Sequence, residues 1–359
     1  MILSTAASSR RRKAVPAMFE HEATYQIPNK LPLRFRDGRF RILSVSDLHG
    51  IVHYDKRLTR DLAALLDGVK PDLLLILGDV ADHDAVESAE NLRGYLSDLN
   101  AVMAARNIPW AHTFGNHDCE AHRSFSQMDV YEEMSHCISK RGPADVSGVT
   151  NYVLPVSDEA GENVLFNVWL LDSHDWLGDY MRQYGLGDPA NKWDMQCAYP
   201  SCLHGWAAGY DTLRFDQVMW YYNGSRFFER KAGHKVPGLL GLHIPLPEYR
   251  VIYQNPAESY YEGIMRETVG NSPVNAGMLN AMVERGDVKT VVAGHDHIND
   301  CTGIFMGVKL TYDAGLSYDC YCDDDLRGGR VFDLDAKNPA DVKTYMVRAR
   351  DFVKAEENG

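Results

Sequence analysis

No run in this 359-residue sequence approaches the roughly 18 consecutive apolar residues that a membrane-crossing helix needs, so no membrane span is implied. No C-x-x-C pair occurs among the seven cysteines, Cys119, Cys137, Cys197, Cys202, Cys301, Cys320 and Cys322. Scattered and odd in number, they read as reduced thiols of an intracellular protein rather than as a disulfide framework. Positive charge is in short supply: 37 Lys and Arg stand against 50 Asp and Glu, a net charge of −13. That balance disfavours a nucleic-acid partner, because sequence-independent affinity for a phosphate backbone comes from Lys and Arg displacing counterions. A basic cluster, Arg10 to Lys13, is similar to a twin-arginine export signal, but Ala-Val-Pro-Ala-Met follows it and the apolar h-region is missing. Cytoplasm is therefore the expected compartment; removal of a signal segment would make the protein secreted or periplasmic. Internal repeats and low-complexity segments are also missing, and no motif bears on oligomeric state.

What is present is ordinary globular composition, 45% hydrophobic and 24% charged, enough to bury a large core. One large domain over residues 37–350 is expected, between an N-terminal extension (1–36) and a C-terminal tail (351–359). Phe40 to Gly50 reads as a strand with a polar end, Lys56 to Val69 as a helix, Asp72 to Gly78 as a strand, Glu87 to Arg106 as a helix, and Ile108 to Asp118 as a strand. This alternation implies βαβ units and a largely parallel sheet, an α/β fold. Further strands are expected in Asn163–Asp175, Val236–Leu246, Val288–Asp300 and Gly307–Gly315. Residues 176–235 form a Gly-, Trp- and Tyr-rich insertion, with one helix around "LRFDQVMWYYNGS", that reads as a cap over a site.

The chemistry lies at the strand ends. The apolar runs finish in "SDLHG", "LGDVAD", "FGNHD", "GLHIP" and "AGHDH". Ligands gather outside the carboxyl ends of parallel strands, so these five tips can converge on one site. Alone, each is unremarkable: a His at a strand end is ordinarily a hydrogen-bonded loop residue, and an Asp there is ordinarily a helix N-cap. Five in order, carrying Asp47, His49, Asp79, Asn116, His117, His243, His295 and His297, are hard to explain by independent accident. Carboxylates, an amide and imidazoles make a mixed O/N shell suited to Mn²⁺, Fe or Zn²⁺, and the absence of thiolate from it argues against a closed structural zinc site. There are too many donors for one ion, so two divalent ions are implied, with a carboxylate bridging them. Such a pair clamps the attacking and leaving oxygens of a phosphoryl displacement.

The pattern D-x-H, G-D-x-x-D, G-N-H-D, a lone His and G-H-D-H, spread from Asp47 to His297, resembles the calcineurin-like metallophosphoesterase superfamily. The form "LLGLHIPLPEY" followed by "GHDHIND" is most similar to the branch related to purple acid phosphatases. The resemblance implies a four-layer α/β/β/α sandwich. It implies one metal held by Asp47, His49, Asp79 and His297 and a second held by Asp79, Asn116, His243 and His295, with Asp79 as the bridge. His117 matches the position that contacts phosphate and protonates the leaving group. The expected reaction is hydrolysis of a small-molecule phosphate ester, with monoesters favoured. A hydroxide bridging the two ions would attack, since a metal lowers the pKa of bound water toward about 7, and His117 would act as general acid. The alternatives are a phosphodiesterase acting on cyclic nucleotides or other diesters, and a catalytically silent interaction scaffold. The second would be expected to have lost ligands that are all present here.

One departure matters: purple acid phosphatases carry a metal-binding Tyr three residues after the bridging Asp, and this chain has Asp82 there. A colourless enzyme using divalent ions is the consequence. Asp82, Asp118 and Asp296 are expected to lie behind the ligands, the latter two as acceptors that orient imidazoles. His53, His83, His112 and His122 flank the motifs and read as surface or supporting residues. Trp176, Trp193, Tyr199, Trp206 and Tyr210 in the insertion are candidates for stacking on an aromatic leaving group. Cys320-Tyr321-Cys322, beside three aspartates, is a possible soft-metal site whose ordinary reading is a surface loop.

Overall fold

Leu43 and Val45 of the first long strand face one core, while Phe40 and Ile42 before them face another. That two-residue alternation, a consequence of the pleat, is repeated across both sheets and divides the apolar residues into three layers. The structure, a computed structural model, describes residues 21–118, 126–185, 209–254 and 261–353. In chain order its first half comprises α1 (Glu22–Tyr25), β1 (Arg39–Val45), α2 (Arg57–Val69), β2 (Leu73–Leu77), α3 (Ala89–Ala104), β3 (Trp110–Thr113), α4 (Gln127–Glu133), β4 (Tyr152–Ser157) and β5 (Val164–Leu170). There follow α5 (Leu177–Gln183), α6 (Phe215–Ala232), β6 (Gly238–Leu242), α7 (Glu248–Gln254), β7 (Tyr261–Glu262), α8 (Met278–Arg285), β8 (Val288–Ala293), β9 (Thr302–Phe305), β10 (Val308–Tyr312), β11 (Gly328–Asp335) and β12 (Lys343–Arg348).

One sheet has five strands in the order β12-β11-β1-β2-β3 and the other seven in the order β4-β5-β6-β8-β10-β9-β7. Each has a parallel block, β1-β2-β3 running to one edge of the first and β5-β6-β8-β10 in the middle of the second, and the remaining strands join antiparallel. The largely parallel sheet expected from the sequence is thus two mixed sheets. Phe40, Leu75, Phe166, Val168, Leu239 and Val292 meet in the layer between them. Outside the first sheet, α2 buries Leu58, Leu62, Leu65, Leu66 and Val69, the stripe that its 3.6-residue period predicts. The side chain of Ser88 caps α3 by accepting from the Asn91 amide. The architecture is therefore helix, sheet, sheet, helix, as the resemblance implied.

Two boundaries differ from the sequence reading. Helix α6 is no part of a cap. Its Val218, Trp220, Tyr221, Phe227 and Phe228 pack on the outer face of the seven-stranded sheet with Trp169 and Leu240, because its apolar residues are too many to leave in solvent. Of the supposed insertion, residues 186–208 lie outside the described residues. The chain before residue 37 is also integral: Tyr25 is buried against Trp169, Trp220, Phe227 and Phe228, and Leu33 and Phe35 lie between the sheets.

Candidate metal centre

The parallel strands of both sheets end at the same edge of the sandwich, and the five tips meet there. The residues following β1, β2 and β3 supply Asp47, His49, Asp79, Asn116 and His117; those following β6 and β8 supply His243, His295 and His297. The tips leave extended geometry abruptly. Asp47, His49, Asp79 and His295 have φ of 53°, 45°, 47° and 75°. Four non-glycine residues held in the left-handed region in one cluster is conformational strain of the kind that persists where surroundings impose it.

The donors form two groups. His297 Nε2 is 3.2 Å from Asp47 Oδ1 and 3.2 Å from His49 Nε2, and His49 Nε2 is 3.5 Å from Asp79 Oδ2. His243 Nε2 is 3.2 Å from the same Asp79 Oδ2, 3.1 Å from Asn116 Oδ1 and 3.2 Å from His295 Nδ1. Asp47, His49, Asp79 and His297 offer donor atoms all within 4.8 Å of one another, and so do Asp79, His243 and His295. Asp79 belongs to both groups, and all these residues are buried.

Three histidines are oriented from behind. His243 Nδ1 donates to the Leu77 carbonyl at 2.8 Å and His297 Nδ1 to the Tyr321 carbonyl at 2.6 Å, while His49 Nδ1 lies 3.0 Å from Asp82 Oδ2. Carbonyls and carboxylates only accept, so Nδ1 carries the proton and the Nε2 lone pair is turned into the cluster. Asp47 Oδ1 is buried and accepts no hydrogen bond of good geometry. These features fit cations. Burial alone would raise the Asp79 carboxyl, but the His243 imidazole, then His49 and His117, hold it well below the ordinary range. In return, Asp79 overcomes the effect of burial on His243 and lifts it to about 9, while burial and then the charge of His243 push His295 down to about 3. Protons and cations compete for the same lone pairs, so metal binding is expected to release protons.

The glycines of the tips are steric requirements. A Cβ on Gly115 would lie 2.2 Å from Asp79 Oδ1 and 2.5 Å from the Asp79 amide nitrogen. Gly115→Ala is therefore expected to displace Asp79 and yield purified protein with substoichiometric metal. Full metal occupancy by elemental analysis would show that the β3 tip can move.

The supporting aspartates divide. Asp82 Oδ2 lies 3.0 Å from His49 Nδ1 and 3.7 Å from His117 Nδ1. Among the described residues Asp118 orients no imidazole. Its two oxygens accept from the amides of Ala81 and Gly115, at 3.0 and 2.8 Å, tying the tips of β2 and β3 together, and burial beside Asp79 raises it to about 8. Asp296 likewise accepts from the Gly270 amide and the Tyr312 hydroxyl rather than from a histidine.

His117 sits at the mouth, its side chain 32% exposed and its ring 5.0 Å from that of His49. Its amide donates to Asp79 Oδ1 at 2.8 Å. Trp176 and Tyr210 stack on each other at 5.5 Å and wall the mouth; Trp176 stands edge-on to His117 at 6.5 Å and Tyr210 to His295 at 4.2 Å. Trp193, Tyr199, Trp206 and His122 lie outside the described residues. His53 and His83 are exposed, and His112 is buried against Tyr131, away from the cluster. Sequence reasoning missed Tyr321, whose ring stacks on His297 at 4.1 Å, and Glu267, which bonds the Tyr321 hydroxyl at 3.0 Å.

Two sheets packed face to face, with an aspartate-sharing His/Asp cluster at their common C-terminal edge, define an α/β sandwich that carries donors for metal ions at that edge. A model of the calcineurin-like phosphoesterase family matches residues 40–299, and the chain belongs to that family. Over 325 residues it is 29% identical to "Probable inactive purple acid phosphatase 14" of Arabidopsis thaliana, spanning 80% of this chain and 73% of that protein. It is 28% identical over 328 residues to "Probable inactive purple acid phosphatase 29" of the same plant, spanning 80% and 75%. "Phosphatase DCR2" of Saccharomyces cerevisiae is 27% identical over 288 residues, covering 74% of this chain and 45% of that protein. A dimetal phosphatase from Danio rerio superposes with a TM-score of 0.51 at 15% identity, over 86% of this chain and 99% of the other, a likeness of fold. No helix among the described residues is long and apolar enough to cross a membrane.

Proposed function

We propose that this protein hydrolyses phosphate monoesters at a dinuclear metal centre. The observation that carries the reading is Asp79 Oδ2, placed 3.5 Å from His49 Nε2 and 3.2 Å from His243 Nε2, at the junction of two otherwise separate donor groups. Asp47, His49, Asp79 and His297 would hold one ion, and Asp79, Asn116, His243 and His295 the other. When bound, the ions supply Lewis-acid activation of water near neutral pH and neutralise phosphate charge. The chain's own groups do the rest. Asp82 holds His49 and sits beside His117, the Asp118 carboxyl locks two strand tips, and His117 is the imidazole reaching from the cluster toward solvent, placed to give a proton to the departing oxygen.

The plant relatives carry "inactive" in their names, which makes a silent scaffold the rival reading. Against a scaffold that has lost its ions stand the strained backbone at four tips and the lone pairs aimed inward, which fit a centre built to hold cations. Purified protein saturated with Mn²⁺ or Zn²⁺ is expected to hold two ions per chain and to hydrolyse p-nitrophenyl phosphate faster than bis-p-nitrophenyl phosphate. Two ions without hydrolysis of either ester would favour the scaffold, one ion or none would remove the dinuclear premise, and the reverse order of rates would make the protein a diesterase.

A further inference from the structure

The loop after β10 is fastened to the metal centre at successive points. Gly315 N–H donates to the His297 carbonyl at 2.9 Å, Leu316 N–H to that of Ser46 at 3.2 Å, and Ser317 N–H to that of Asp47 at 3.1 Å. Ser317 Oγ then accepts from the amides of Asp319 and Cys320, at 3.0 and 3.1 Å, turning the chain back. At Tyr321, the next residue, the loop is pinned again, by the His297 bond to its carbonyl and by the stacking of the two rings. A thiol held between such anchors occupies a defined place. Cys320 Sγ, a ring nitrogen of His49 and a ring nitrogen of His297 all lie within 4.8 Å of one another. Cys322 also reaches the His297 side chain, but it belongs to no such donor group among the described residues, and its sulfur packs against Gly315, 2.9 Å from where a Cβ would stand.

We propose that Cys320 is a further ligand to the ion held by Asp47, His49, Asp79 and His297. The proposal rests on the dinuclear reading above. Coordination would release the thiol proton to solvent and form one metal–sulfur bond, adding a soft anionic donor to a shell of oxygen and nitrogen. A thiolate there shifts the preference of that position toward zinc or iron and away from manganese and magnesium, which favour oxygen donors. With zinc the centre stays colourless, because the ion has no partly filled d shell to receive charge.

The test is cobalt substitution of the full chain. Co²⁺-loaded protein is expected to show an intense near-ultraviolet thiolate-to-cobalt charge-transfer band, which oxygen and nitrogen ligands do not produce. The band should persist in Cys322→Ser and vanish in Cys320→Ser. Cys320→Ser should also lose one ion to chelator at a concentration at least about 10-fold lower, no less than loss of an outer-shell partner costs. Should Cys320→Ser fail to fold, alkylation of the unmodified protein by iodoacetamide, followed by peptide mass spectrometry, decides the matter: Zn²⁺ should protect Cys320. Two bound cobalt ions with no thiolate band, or a band that survives in Cys320→Ser, would overturn this proposal and leave the dinuclear reading intact. Failure to bind cobalt at all would overturn both.

Discussion

Asp79→Asn should strip both ions from the centre and abolish turnover with them. The substitution keeps the shape of the side chain and an oxygen able to accept from the His117 amide, which Asp79 Oδ1 does at 2.8 Å, so the fold should survive. What it removes is the one negative charge common to both donor groups. Two dications about 4 Å apart repel by on the order of 15 kcal/mol even at an effective dielectric constant of about 20, and a shared carboxylate is what offsets this. The remaining donors divide into Asp47, His49 and His297 on one side and Asn116, His243 and His295 on the other, and the latter set contains no anion. Elemental analysis after gel filtration, together with a circular dichroism spectrum to show the fold is kept, checks the expectation. Retention of one ion at full occupancy would mean that Asp79 belongs to a single site.

His117→Ala should have the opposite signature, with full metal content and a large loss of rate. The native side chain is part-exposed and belongs to neither of the two groups that share Asp79, and its backbone amide, which holds Asp79, is retained by alanine. A positioned proton donor contributes roughly 10²–10⁴-fold. The loss should reach that range for an alkyl phosphate, whose alkoxide leaves poorly, and shrink for p-nitrophenyl phosphate, whose phenolate departs without a proton. The ratio of the two losses is therefore the informative quantity. Equal losses for both esters would recast His117 as a group that orients phosphate, and loss of metal would recast it as a ligand.

The two experiments separate roles that proximity alone confuses. His49 and His117 both lie beside Asp82, and His49, Asp82 and His117 offer donors within 4.8 Å of one another. Geometry distinguishes them only through direction: His49 turns Nε2 toward Asp79 and Nδ1 toward Asp82, whereas His117 presents Nδ1 toward Asp82 and stands at the mouth.

Much of this centre is written locally in the chain. An apolar run that ends in Gly-Asp, Gly-Asn-His-Asp or Gly-His-Asp-His carries its donors on the first residues past a strand, and parallel pairing places such residues at one edge of a sheet. The donor identities, their division among five tips, and the helices α2 and α3 with their buried stripes follow from patterns a few residues long. The tertiary structure alone decides what depends on long-range packing. His49 and His297, 248 residues apart, meet only because two separate sheets stack with their carboxyl ends aligned. Asp118 and Asp296 sit within the motifs yet serve backbone amides and a tyrosine, since the partner of a buried carboxylate is whichever donor the fold brings within reach. Helix α6 joins the outer layer rather than a cap because its aromatic face finds the surface of the seven-stranded sheet. Cys320, read from the sequence as part of a soft-metal candidate whose ordinary reading is a surface loop, comes to lie beside His49 and His297 through hydrogen bonds made by its neighbours, and nothing in the local sequence encodes that contact.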